Sequence, residues 1–282
     1  MSEATLLEQD FPSKGQADAD PNSIPLEKID VTDSELWVTD KHWGYFERLR
    51  NEAPVHYCAD SEFGGYWSVT TFDHIVEVEK DPETYSSEPT ITVGDIPEDS
   101  ITQNAGFITM DGPRHNAHRK VAQPVSSPRN IKALEPLARE RSIAILDSPP
   151  IGETFDWVDK VSIELTTMML ATLFDFPFED RRKLTRWSDI VFAIPQPGGV
   201  VETSEQKRDE LLECVAYFTR LWDERRANPG NDLVSMLAHG EATKHLSAAN
   251  HLGNLLLLIV GGNDPKRNTM FGSVYGLHSF PE

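Results

Sequence analysis

Leu255-Leu256-Leu257-Leu258-Ile259-Val260-Gly261-Gly262-Asn263-Asp264-Pro265-Lys266-Arg267-Asn268-Thr269 decides the fold class. Its first six residues are apolar in every direction around a helix. Such a helix is stable only with neighbours on all sides, so it must run through the middle of a larger helical body. The run is far short of the ~20 residues needed to cross a bilayer. Two glycines then lower helix propensity by about 1 kcal/mol each, and they let another group approach the backbone. Asp264 follows directly, and a carboxylate at the end of an apolar run must be paired, hydrated or useful. A purely local alternative exists. Gly261-Gly262-Asn263 would end one helix, and Asp264 would cap the next with Pro265 at its first position.

Upstream, periodicity predicts helices near 114–126, 131–147, 159–174, 179–193, 204–227 and 231–239, with the central one over 246–280. Proline and glycine clusters separate them: Pro149-Pro150, Pro177, Pro195 to Gly199, and Pro229-Gly230. Thr154 to Val158 reads as an isolated strand. Toward the N-terminus, Val55–Cys58 and Tyr66–Thr70 read as strands around a Gly64-Gly65 turn, flanked by helices over 42–50 and after Thr71. Residues 84–106 read as a long irregular loop. Residues 1–35 hold nine acids and two bases, so 1–32 reads as an acidic, mobile leader and 33–282 as one domain. The fold class is therefore mainly α with a small N-terminal β-sheet.

The formal charge is −20, from 46 acidic and 26 basic side chains. That balance argues against nucleic acid as the main partner and disfavours anionic membrane surfaces. Two cysteines, Cys58 and Cys214, cannot build a disulfide framework or a multi-thiolate metal site, which fits a reducing, cytoplasmic setting. Against this background residues 114–141 stand out, with seven basic side chains and two acidic ones. Pro113 suits the first turn of a helix, and His115 and Arg119, four apart, stack on one face. Two such donors can grip a pair of carboxylates or a phosphate. A plain solvated face has the same spacing. His115 and His118 lie three apart with no third ligand, which is a poor zinc pattern.

Together these segments resemble the cytochrome P-450 family of haem-thiolate monooxygenases. Asp111-Gly112-Pro113-Arg114-His115-Asn116-Ala117-His118-Arg119 matches its Asp-x-Pro-x-His-x-x-x-Arg run, and Gly261-Gly262-Asn263-Asp264 resembles its oxygen-binding groove. Asn231 to Leu237 resembles the short helix preceding that groove. The likeness covers residue 24 to the end. It is strongest to bacterial alkane and fatty-acid terminal hydroxylases, through Pro54–Tyr57, Ser61–Thr70 and Tyr85–Pro89.

The resemblance implies haem b as cofactor, with His115 and Arg119 on its propionates, Gly261 and Gly262 forming the oxygen groove, and Asp264 delivering protons. It implies dioxygen, an apolar substrate, and a ferredoxin with its ferredoxin reductase as electron donors. Ile91, Val93, Phe192 and Ile194 are the expected substrate-pocket residues, with core packing as the alternative. Two departures are visible. Pro265 stands where the family carries Thr. The chain also stops at Glu282 without the family's Glu-x-x-Arg helix or its Cys loop, so no residue here is assigned as the metal ligand. The expectation is an inactive N-terminal fragment of a hydroxylase, truncated after the central helix. The alternative is a non-enzymatic, degenerate paralogue that binds haem weakly or binds a protein partner.

Overall fold

The computed structural model describes residues 15–91, 93 and 106–281. The chain divides into two compact units, 1–97 and 98–282.

In the first unit, Asp33 caps α1 (Ser34–Val38) by accepting from Glu35 N at 3.1 Å. α2 (His42–Glu52) ends before Pro54. β1 (Val55–Cys58) and β2 (Tyr66–Val69) pair antiparallel in the register Val55↔Val69 to Cys58↔Tyr66, and α3 (Phe72–Lys80) follows. The described part of the expected leader is packed into this unit. Residues 15–32 carry two 3-10 turns, Gln16–Asp18 and Leu26–Lys28, and bury Ile29 and Val31 with Leu36, Tyr45 and Leu49. Tyr66 fixes the segment from the sheet: its hydroxyl donates to Asp30 Oδ1 at 2.8 Å and accepts from Val31 N at 2.9 Å. Order therefore begins well before Asp33, because a few apolar side chains and one phenol outweigh an acidic composition. Residues 1–14, and residues 92 and 94–105 of the expected loop, lie outside the described residues.

The second unit is helical: α4 (Arg114–Ala122), α5 (Pro128–Leu146), α6 (Glu164–Phe174), α7 (Arg182–Phe192), α8 (Ser204–Ala227), α9 (Leu233–His239) and α10 (Ala248–Ser279). Side-chain caps begin four of them. Ser127, Thr203, Asp232 and Ser247 each accept a backbone N–H of the first turn, as helix N-termini require. The expected strand at Thr154–Val158 does not form. Asp156 instead accepts from Asp159 N at 3.0 Å and starts a π-helix, Val158–Ile163, that runs into α6. β-Favouring residues without a partner strand yield to this local cap.

α10 runs unbroken through Gly261, Gly262 and Pro265, so the reading in which Asp264 caps a new helix is wrong. The tertiary packing expected of an all-apolar helix holds it together. Leu252, Leu255, Leu256 and Ile259 are buried in a core shared with α6, α7, α8 and α9. Trp187, Phe176, Tyr217 and Phe218 form the aromatic part of that core, with Phe176 stacked on Tyr217 at 4.8 Å.

Candidate functional site

A cavity of about 530 Å³ opens between α4, α6, α9 and α10. It brings together residues far apart in sequence: His115 and Arg119 from α4, and Gly261 and Gly262 from α10. Leu170 and Phe174 of α6 and Leu257 and Leu258 of α10 give it apolar walls. Three basic residues line it, His115, Arg119 and Lys266, and no Asp or Glu does. None of the three pairs with a carboxylate among the described residues. In a chain with a formal charge of −20, cations left unpaired around an apolar hollow are conspicuous.

The α4 wall is held from α10. Gly106, at φ +102°, approaches the Gly253 carbonyl so closely that a Cβ would lie 2.9 Å from its oxygen. The next residue, Phe107, donates its N–H to the buried Asn254 Oδ1 at 2.8 Å. This clamp fixes the entry to α4 on the first turns of α10, and so sets where His115 and Arg119 stand relative to the glycines.

The two glycines do different work. A Cβ on Gly262 would collide with Leu170, so this glycine permits close packing of α6 on α10. A Cβ on Gly261 would meet nothing within 4 Å, so it leaves open space at the cavity. Pro265, four residues on, has no N–H to give the Gly261 carbonyl, whose oxygen therefore lacks its usual helical donor. Asp264 does not line the cavity. Its Oδ1 accepts from Arg267 at 2.9 Å, and its Oδ2 accepts from Ser188 Oγ of α7 at 3.3 Å. Arg267 also reaches Asp189 at 3.0 Å.

Phe192 and Ile194 do not line this cavity either; both are exposed, as are Ile91 and Val93 within the first unit. Lys266 and the Asn254 clamp were missed in the sequence. Lys266 had a signal of a kind, as a cation placed one turn after the glycines. Asn254 had none, since its partner is 147 residues away.

The lining chemistry suits a flat, largely apolar group carrying carboxylates: apolar walls, cations at the edge, and a glycine gap facing α4. Among the described residues no sulfur lines the cavity. Both cysteines are buried, Cys58 in the first unit and Cys214 in the α8 core, where burial pushes its thiol well above the usual range.

The comparisons agree. A scan finds no family model that matches. Linalool 8-monooxygenase of Pseudomonas putida is 28% identical over 269 residues, covering 91% of this chain and 66% of its own length. The methyl-branched lipid omega-hydroxylase of Mycobacterium tuberculosis is 25% identical, covering 93% and 64%. Among solved structures, cytochrome P450-153 from Novosphingobium aromaticivorans matches with a TM-score of 0.78 and 41% identity, over 89% of this chain and 64% of that one. The chain belongs to the cytochrome P450 family. It spans just under two thirds of the length of these relatives. Among the described residues no helix is long and apolar enough to cross a membrane.

Proposed function

We propose that this chain supplies the propionate-binding helix and the oxygen-side wall of a haem-thiolate monooxygenase, which hydroxylates an apolar chain, an alkane or fatty acid. When bound, haem supplies the oxidising power that places one atom of dioxygen in a C–H bond. The protein's own work is to bind, orient and exclude water. Arg119 and His115 donate charge-assisted hydrogen bonds to carboxylates. Leu170, Phe174, Leu257 and Leu258 keep the cavity dry. Gly261 leaves room for a diatomic ligand beside a carbonyl that lacks its helical donor. Asp264 holds the proton to be delivered, and to do so its carboxylate must give up Arg267. Ile91, Val93, Phe192 and Ile194 offer apolar surface to the substrate. Electrons come from a ferredoxin and its reductase, in the cytoplasm. The names of the relatives, which act on linalool, methyl-branched lipids and steroids, support an apolar substrate.

One observation carries the reading: His115 and Arg119, without a carboxylate partner among the described residues, face Gly261 across one apolar cavity. A second reading, haem binding without turnover, is favoured by Pro265, which has no hydroxyl to hold a proton-relaying water.

Haemin titrated into the chain tests the first. Each lost charge-assisted bond is worth about 1.5–3 kcal/mol, so Arg119→Ala should weaken binding by about 10–100-fold. His115→Ala should weaken it less. Wild-type affinity in both variants sinks the assignment.

A further inference from the structure

A second cavity, of about 190 Å³, opens between α8, the start of α10 and the link from α9 to α10. It shares no lining residue with the first. One stripe of α8 supplies Phe218, Thr219, Trp222, Asp223 and Arg226, which recur at helical spacing and so share a face. Leu252 and Leu255 of α10 complete an apolar floor with Phe218, and all three are buried in the core. A floor set in a close-packed core is pre-formed.

One wall is aromatic. The rings of His251 and Trp222 lie with centroids 3.4 Å apart. Both side chains are buried, His251 with a relative exposure of 8%, and its Nδ1 has no hydrogen-bond partner. Burial, with the charges of Arg226 and His118, pulls the imidazole down to about 4. It is therefore neutral near pH 7 and brings one donor and one acceptor to the wall.

The rim is charged, with Asp223, Arg226 and Lys244. Lys244 is answered by Glu241 at 2.8 Å, whereas Arg226 makes no ion pair among the described residues. Size and charge together select a ligand. An apolar cavity of about 150 Å³ holds benzene, so this one holds a single ring with a short arm. Trp222 and Phe218 favour an aromatic ring, through edge and offset contacts. A guanidinium without a partner at the mouth favours a carboxylate.

We propose that this cavity binds a small aryl carboxylate. The ring rests on Phe218, Leu252 and Leu255 beside Trp222, and the carboxylate turns outward to Arg226. Asp223 opposes it from the same rim and limits the affinity. The site stands whether or not the first cavity takes haem.

Phenylacetate titrated into the 282-residue chain, followed by ligand-observed NMR, tests this. A ligand of about ten non-hydrogen atoms is expected to bind with a Kd of about 0.1–1 mM. Arg226 is exposed, so Arg226→Gln should weaken binding by only about 3–10-fold. Asp223→Asn should strengthen it by about two- to threefold. Benzyl alcohol keeps the ring and lacks the charge, so it should bind wild type and Arg226→Gln alike. Thr219→Trp places a large side chain at an exposed point of the rim and should abolish binding of both compounds. If that variant misfolds, the opposite shifts at Arg226 and Asp223 still decide. Absence of millimolar binding overturns the proposal, as does wild-type affinity in both Arg226→Gln and Asp223→Asn. If Arg119→Ala weakens phenylacetate binding as much as Arg226→Gln does, the ligand occupies the first cavity and the proposal fails.

Discussion

Arg119 and Arg267 sit on two of the helices that wall one cavity, in opposite circumstances. Arg267 is largely buried and answered twice, by Asp264 and Asp189. Arg119 is exposed to the cavity and meets no carboxylate among the described residues. Carboxylates outnumber lysines and arginines in this chain, 46 to 26, so an unpaired cation is not explained by scarcity of partners. The α7 side of α10 is tied by ion pairs, and the α4 side is left open, where the proposed function places an anion brought from outside. The difference between structural and functional charge lies in what surrounds the residue, since the residue type is the same.

Acid should act first where the start of α10 packs on α8, near His118 of α4. His118 of α4 and His251 of α10 are both buried with an unpartnered Nδ1, and His251 packs on Trp222 at 3.4 Å. Burial, with Arg226 and His118 nearby, pulls His251 down to about 4 from 6.5. Burial, then Arg114, lowers His118. Both must stay neutral in the fold, while the unfolded chain takes up protons below about 6.5. The stability they protect is therefore complete above that pH and is lost as pH falls toward 4. For His251 alone this is about 3 kcal/mol. Urea unfolding between pH 7 and pH 4.5 should show the decline, and His251→Leu should flatten it. An unchanged slope in that variant would show that the histidines are not the cause.

Arg267→Ala tests the other side. It strands two partly buried carboxylates, and a cost of about 1–2 kcal/mol is expected. Haemin affinity should stay within about threefold of wild type, which is well under 1 kcal/mol. If Arg267→Ala weakens haemin binding as much as Arg119→Ala does, the division between the two sides is wrong.

The glycine pair gives the finest test. Gly262→Ala forces a methyl into Leu170 and should destabilise by about 1–3 kcal/mol. Gly261→Ala meets nothing and should stabilise by up to about 1 kcal/mol through helix propensity. Thermal melts of the two variants should move in opposite directions; equal shifts would erase the distinction.

Much of this architecture was legible in the sequence. Helix limits coincide with proline and glycine clusters because both residues act locally on the backbone, so α8, read as 204–227, begins and ends where expected. The strand at 154–158 was misread because β-propensity says nothing about whether a partner strand exists. Packing of 15–32 was hidden because it depends on Tyr66, a residue more than thirty positions away. At the site, the spacing of His115 and Arg119 and the glycine pair were visible. That Gly262 answers to Leu170 while Gly261 faces open space was not visible, because only the approach of α6 separates them.

The hydrogen bond from Phe107 N–H to Asn254 Oδ1 has a kinetic consequence. It joins positions 147 residues apart, so the cavity is closed by one of the least local contacts in the chain. Contacts of large sequence separation require loop closure before they return any energy, and they slow folding relative to neighbouring helix pairs. α4 can form its turns early, but His115 and Arg119 find their place opposite Gly261 only after α10 has emerged and docked. During synthesis the pocket is absent until α10 has left the ribosome and docked, so any prosthetic group must be captured after the central helix has joined the core.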